Sequence, residues 1–407
     1  MTFKTLKRSH LKRNIVIVVA IVFILSAIIL TFTRAKYKVT DSMPLLNGTI
    51  NYTLADLNVV AMYVDGEQVD KLPDGKHTLT SESYCTNEDD VRDESVTLSY
   101  DSATKGLSVS PMTRKGTKCY LYFEEKVSAG ETILASDNAP TGQTTDWTGQ
   151  TTYYYTGNPN NWVQFAGFWW RIIRINGDGT IRMIYSGSDA TGPATSGNDT
   201  QIGISAFNNL AGKTHVGLVY DDSNDDPNQH GYGTNSIVMN ILNNWYSNTL
   251  ASLEEQYIDA RIGFCSDRNL ADNNYWNAVT IHYAAFDRMN GPASLQCNSE
   301  DVLSKYNGKL QYSIGLLTMD EALFTGITYD ESNKNSYLFT GESFWTMSPY
   351  YYDYGYTSVF FVSTIGTLPG GDIRSEYGVR PVINLRADLE LTGSGTTSDP
   401  FKVVGTS

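Results

Sequence analysis

Phe165-Ala166-Gly167-Phe168-Trp169-Trp170-Arg171-Ile172-Ile173-Arg174-Ile175 runs into Asn176-Gly177-Asp178-Gly179, and Thr180-Ile181-Arg182-Met183-Ile184-Tyr185 follows. Two runs of β-branched and aromatic residues around a turn-forming tetrapeptide give the strongest hairpin signal in the chain. Arg171, Arg174 and Arg182 are expected on its solvated or ion-paired face. Further on, Thr234, Asn235 or Ser236 caps a predicted helix whose Ile237, Ile241, Leu242, Trp245 and Tyr246 share one face. Thr318 and Glu321 have capping-box spacing for a second helix through Phe324, which gives Asp320 and Glu321 a structural role. Gly378 to Leu385 reads as a closing strand, with Pro381 suited to an edge or a bulge.

Between Phe344-Trp345-Thr346-Met347-Ser348-Pro349 and Ser358-Val359-Phe360-Phe361-Val362-Ser363, both strand-like, lies Tyr350-Tyr351-Tyr352-Asp353-Tyr354-Gly355-Tyr356-Thr357. This segment is expected to be a loop. Tyr rings offer rigid apolar area and a hydroxyl at low entropic cost, the composition of a binding surface. Tyr351, Tyr352, Asp353, Tyr354 and Tyr356 are therefore the candidate ligand-binding residues; the competing reading is that the rings pad the loop against its own domain.

Upstream, residues 128 to 152 are rich in Gly, Thr, Ala, Asp and Gln and read as a linker to a domain spanning 153–407. Residues 52 to 127 hold short strand-like runs such as Val59 to Val64 and Cys119 to Phe123, separated by Asp65-Gly66 and Asp74-Gly75. They predict a small antiparallel β-sandwich. Residues 33–51 read as a stalk. Ile15 to Phe32 is an uncharged run of 18 residues, long enough to span a bilayer. Five Lys or Arg precede it and three follow closely, which places the 1–14 tail in the cytoplasm and the remainder outside the cell. A retained single-pass anchor is expected, with a cleaved signal peptide as the alternative.

The 407 residues carry a formal charge of −14, but the first 40 hold eight basic side chains and no acid. The remainder sets 22 basic side chains against 44 acidic ones, so no nucleic-acid partner is expected. Four cysteines form two local pairs, Cys85 with Cys119 and Cys265 with Cys297, and outside a membrane they favour disulfides over metal or catalysis. The first pair is expected to bridge the two sheets of the sandwich. The five His lack zinc-site spacing, and GxSxG and GxGxxG do not occur. Gly212-Lys213-Thr214 copies the end of a P-loop, but Phe207 stands where its first Gly belongs. No cofactor is expected apart from calcium. The candidate cation site is the run Asp221-Asp222-Ser223-Asn224-Asp225-Asp226, with Asp221, Asp222, Asp225 and Asp226 as ligands and a solvated acidic loop as the alternative.

Several phrases resemble a group of membrane-anchored bacterial surface proteins: Trp169-Trp170-Arg171-Ile172-Ile173-Arg174-Ile175-Asn176-Gly177-Asp178-Gly179, Phe264-Cys265-Ser266-Asp267-Arg268, Trp345-Thr346-Met347-Ser348-Pro349 and Gly378-Val379-Arg380-Pro381-Val382. The last two are also similar to the end of C-type-lectin-like domains of the formylglycine-generating-enzyme and retroelement-diversified type. That resemblance implies an α+β fold with its ligand face near the C-terminal loops. It does not carry the enzyme's reactive Cys pair over to Cys265 and Cys297. The Glu-Pro-Asn sugar motif of animal lectins is absent as well. The expected function is extracellular recognition of a glycan or protein through the Tyr-rich segment. A surface enzyme acting on wall or host polymers, or a structural envelope component, is the alternative.

Overall fold

The computed structural model describes residues 50–51, 58–73, 77–101, 106–110, 117–125, 127–188, 192–221, 231–272 and 274–405. The apolar run 15–32 and the tail before it lie outside the described residues. Among those described, no helix is long and apolar enough to cross a membrane. The chain divides into two compact units, Met1–Lys126 and Val127–Ser407.

In the first unit, Asn58–Val64 and Lys118–Glu125 lie side by side in a five-stranded sheet. Asp65 and Gly66, with φ of 49° and 85°, make the tight turn into Glu67–Val69, as the Asp-Gly pair predicts. A smaller sheet joins Ile50–Asn51, Gly106–Ser110 and Thr97–Asp101. Leu107 and Val109 from this sheet meet Met62, Leu121 and Phe123 from the larger one in a single core. Two sheets therefore share one core, and their pairing is not purely antiparallel. Asn58–Val64 runs parallel to Lys118–Glu125, as does Ile50–Asn51 to Gly106–Ser110.

The Cys85–Cys119 disulfide forms, but within one sheet rather than across two. Tyr84–Thr86 pairs antiparallel with Lys118–Glu125, which sets the two Cys directly opposite with their Cα atoms 4.0 Å apart. Strand alternation explains their burial: Cys119, Leu121 and Phe123 point into the core. On the other face, Tyr120 stacks on Tyr84 and Tyr122 on Tyr63, each at 4.9 Å.

The second unit is mixed and strand-rich. Its larger sheet has the order Val382–Leu385, Ile181–Tyr185, Phe168–Ile175, Trp162–Phe165, Phe401–Val403 and Leu391–Thr392. The expected hairpin of Phe168–Ile175 with Ile181–Tyr185 is there. The run from Phe165 to Ile175 is not one strand, however. Ala166 and Gly167, with φ of 56° and 76°, turn the chain back on itself, so that Trp162–Phe165 pairs with Phe168–Ile175. Val382–Leu385 forms the edge that Pro381 favours.

Residues 128 to 152 are not a linker. Ser128 and Glu131 cap the helix Ala129–Leu134 reciprocally, and Gly142–Thr145 pairs with Thr151–Tyr154, itself a neighbour of Phe168–Ile175. The glycines that suggest flexibility permit close approach instead. A Cβ on Gly130 would lie 2.6 Å from Ile175, and one on Gly142 would overlap the Tyr154 ring.

A six-stranded sheet carries the candidate site. Its order is Ile204–Ala206, Glu376–Gly378, Phe344–Asp353, Tyr356–Val362 and Gly370–Asp372, with Thr280–His282 also on Phe344–Asp353. Ser236 caps the helix Ile237–Thr249 through the Met239 N–H. Its most buried positions are Val238, Met239, Leu242 and Tyr246, rotated from the predicted face. One core contains Trp170, Leu242, Phe344 and Phe360, so it reaches from both sheets to this helix.

Candidate functional site

The Tyr-rich segment is not a loop. Phe344–Asp353 and Tyr356–Val362 continue into it as a hairpin, leaving Tyr354 and Gly355 as the whole turn. Their φ values of 43° and 85° are both left-handed, the requirement of the two-residue turn that matches strand twist. Gly adopts this conformation freely, whereas Tyr354 does so at a cost of about 1–2 kcal/mol. Tyr354 is 83% exposed, so no packing repays that cost within the unit. Tyr354→Asn is expected to stabilise the unit by about 1 kcal/mol, because Asn tolerates this conformation. An unchanged or lower urea midpoint would contradict the assignment of strain.

The hairpin sorts the predicted residues by face. Tyr352 pairs with Thr357 and turns to the covered side, where the Lys213 ammonium lies 5.6 Å from its ring centroid. Lys213 also donates to the carbonyls of Trp276 and Ala278, and the Gly212 N–H donates to Thr357 Oγ1 at 2.9 Å. The P-loop-like tripeptide is thus a clamp over one side of the hairpin. Tyr351, Asp353 and Tyr356 take the open side, and Tyr351 stacks on Tyr356 at 5.6 Å. A bulge between Pro349 and Tyr351 brings Tyr350 beside them, 5.0 Å from Tyr351.

Three rings from other segments extend this row. His282, on the strand paired with Tyr351, lies 6.0 Å from the Tyr351 ring and 3.9 Å from Phe286. Phe286 also lies 5.5 Å from Tyr350, and the Tyr350 hydroxyl meets that of Tyr329 at 3.2 Å. Tyr356, Tyr351, Tyr350, His282, Phe286 and Tyr329 therefore form a continuous aromatic ribbon. Each keeps part of its surface in solvent. Burial pushes the Tyr350 phenol up, and its bond with Tyr329 adds to the shift. Burial pushes the His282 imidazole down, with Asp287 opposing.

Beyond Phe286 and Tyr329 the surface opens into a groove of about 730 Å³. Tyr154, Phe324, Leu323 and Met289 give it apolar walls, and Asn290 and Asp330 supply polar groups. Tyr154 and Phe324 are in ring contact at 4.3 Å.

Of the candidate cation ligands, only Asp221 lies within the described residues, after the strand Val219–Tyr220; Asp222, Asp225 and Asp226 lie outside them. The second disulfide, Cys265–Cys297, forms with its Cα atoms 5.9 Å apart.

No protein-family model, curated protein or solved structure matches this chain.

A second concentration of ionisable groups is internal. Arg174 and Arg182, paired on neighbouring strands, both reach Glu321 Oε1, at 3.0 and 2.5 Å. Glu321 is also the capping-box residue of the helix Met319–Phe324, its Oε2 accepting the Thr318 N–H at 2.9 Å. Burial works against its charge, but Arg182 and Arg174 hold its carboxyl below the usual range. Burial brings the Arg182 guanidinium down to about 10. Arg171 is the exception among the hairpin arginines: among the described residues it meets no carboxylate, and it hydrogen-bonds Asn161 and the Pro159 carbonyl while lying 4.0 Å over Trp162.

Arg288 joins Asp267 and Asp320 in the same region. These groups line a cavity of about 20 Å³, room for about one water molecule. Three Arg are matched by three carboxylates, so the cluster ties helix to sheet and leaves no charge over for a ligand.

Asp267 is the odd member. Burial and the nearby Asp320 outweigh Arg288 and push its carboxyl up to about 6. The unfolded value is about 3.9, so the native state holds this proton more tightly. Its contribution to stability is complete below pH about 4 and is lost as pH rises through about 6. Wild type is expected to lose about 3 kcal/mol relative to Asp267→Asn across this window. Parallel melting profiles of the two proteins would contradict the assignment.

Proposed function

We propose that this chain is a membrane-anchored, extracellular binding protein that recognises a glycan or protein through the aromatic ribbon of a C-type-lectin-like domain. The observation that carries the reading is the ribbon itself: six touching rings, all partly solvated, on the open side of a hairpin whose other side is covered. Tyr329 and Tyr350 pack in part against the core, but each ring of the ribbon keeps a solvated part, and Tyr354 holds a costly conformation in solvent that padding does not require. The two disulfides support an oxidising, extracellular setting. The apolar run 15–32 and its basic flanks support the anchor. The test is binding to a glycan array and to intact cells by wild type and by Tyr351→Ala/Tyr356→Ala. Recognition lost at an unchanged melting temperature supports the reading. Equal binding by both, or none by either, overturns it.

A further inference from the structure

Three carboxylates are spaced along the ribbon. Asp353 stands at the hairpin end, opposite Tyr356; Asp287 follows Phe286 in the middle; Asp330 follows Tyr329 and lines the groove. None of the three forms an ion pair among the described residues. Asp353 accepts the Thr280 hydroxyl at 2.5 Å, and Asp287 accepts the Asp272 N–H at 2.7 Å. Arg374, the cation that faces Tyr356, is held by Asp372 through two hydrogen bonds of 2.9 and 2.6 Å. The surface is therefore aromatic along its length and negative at its hairpin end, its middle and its groove.

We infer that the ligand is a polysaccharide of amino sugars with free ammonium groups, lying along the ribbon from Tyr356 towards the groove at Tyr154 and Phe324. The inference rests on the ribbon being the recognition surface. Pyranose rings present flat C–H faces that stack on aromatic rings, while their hydroxyls need partners. Five of the six ribbon rings carry a polar atom of their own, Phe286 being the exception. A protein partner generally places anchors in a deep central pocket, whereas here a line of rings ends in an open groove, the shape for a linear polymer. Charge narrows the class. A sulfated, phosphorylated or uronic polymer would meet uncompensated carboxylates at all three stations, and a neutral one would leave them unused. Ammonium groups satisfy the carboxylates and also favour tyrosine faces.

The test uses the full chain in detergent micelles with three probes: a soluble glucosamine polymer with free amines, its fully N-acetylated counterpart, and polylysine. The free-amine polymer should bind at least about tenfold more tightly than the acetylated one, a difference of about 1.4 kcal/mol, and should weaken with added salt. Asp353→Asn/Asp287→Asn/Asp330→Asn should abolish that preference, and Tyr351→Ala/Tyr356→Ala should abolish binding, both at unchanged melting temperature. The inference is overturned if the acetylated polymer binds as well, if the amine polymer does not bind, or if the Asn variant keeps the preference. Binding of polylysine alone, dependent on the rings, would overturn it in favour of a basic protein partner. Ring-dependent binding of a neutral glycan defeats only the choice of amino sugar. Failure of every array component to depend on the rings defeats the reading of the ribbon itself.

Discussion

Glu321→Gln is expected to destabilise the second unit by about 3–5 kcal/mol, lowering its melting temperature by on the order of 10 °C. The substitution is chosen because Gln at this helix position still completes a capping box, so the Thr318 N–H keeps an acceptor. What disappears is the one carboxylate that, among the described residues, Arg174 and Arg182 share; their side chains are 3% and 1% exposed. Two buried guanidinium groups then lose their direct partner, and the cluster is left with three Arg against two carboxylates. Removing the cap alone, with Thr318→Ala, should cost only about 1 kcal/mol. Thermal melts separate the two contributions: equal losses in the two variants would mean that capping, not charge, is what Glu321 supplies. Replacing Arg174, Arg182 and Glu321 together by apolar residues of similar volume should recover most of the loss, since desolvating the ions offsets much of their attraction.

Tyr351→Ala/Tyr356→Ala is expected to reduce ligand affinity by about 100-fold or more, from about 1.5–2 kcal/mol for each ring. The two rings stack on each other at the solvated end of the ribbon, so the double change also removes their mutual support. Stability should change by no more than about 1 kcal/mol, because both rings are already partly in water. Tyr352→Ala should behave in the opposite way. Its ring lies on the covered side beneath Lys213, so folding suffers before recognition does. Isothermal titration beside thermal melts distinguishes the two patterns.

Much of this was legible in the residues. The Asn176-Gly177-Asp178-Gly179 turn, the capping box at Thr318 and Glu321, and both cysteine pairings follow from local spacing, which the fold leaves intact. The ion-paired face expected for the hairpin arginines holds for Arg174 and Arg182, though it is buried. What was not legible depends on distant contacts. Glycines from 128 to 152 read as a linker because composition does not distinguish a flexible glycine from one pressed against Ile175 or Tyr154. The parallel pairing of Asn58–Val64 with Lys118–Glu125 brings together strands from opposite ends of the first unit, and no turn announces it.

The candidate site divides along the same line. Tyr351, Asp353, Tyr354 and Tyr356 could be named because they are neighbours in sequence, but the alternation that turns Tyr352 away was hidden by reading a strand as a loop. His282, Phe286 and Tyr329 join the ribbon only through pairing and packing, and Tyr350 only through a bulge. None of the four carries a local signal of that role.

The most direct measurement compares two stacked tyrosine pairs in the same protein. Tyr351→Ala/Tyr356→Ala alters the ribbon, and Tyr63→Ala/Tyr122→Ala alters the pair stacked at 4.9 Å in the first unit. Equilibrium binding of each variant and of wild type to a broad glycan array and to a panel of intact bacterial and animal cells reads the difference. The account predicts recognition by wild type, its loss in the ribbon variant, and its retention in the other. Equal loss in both variants, or full binding by the ribbon variant, would contradict it.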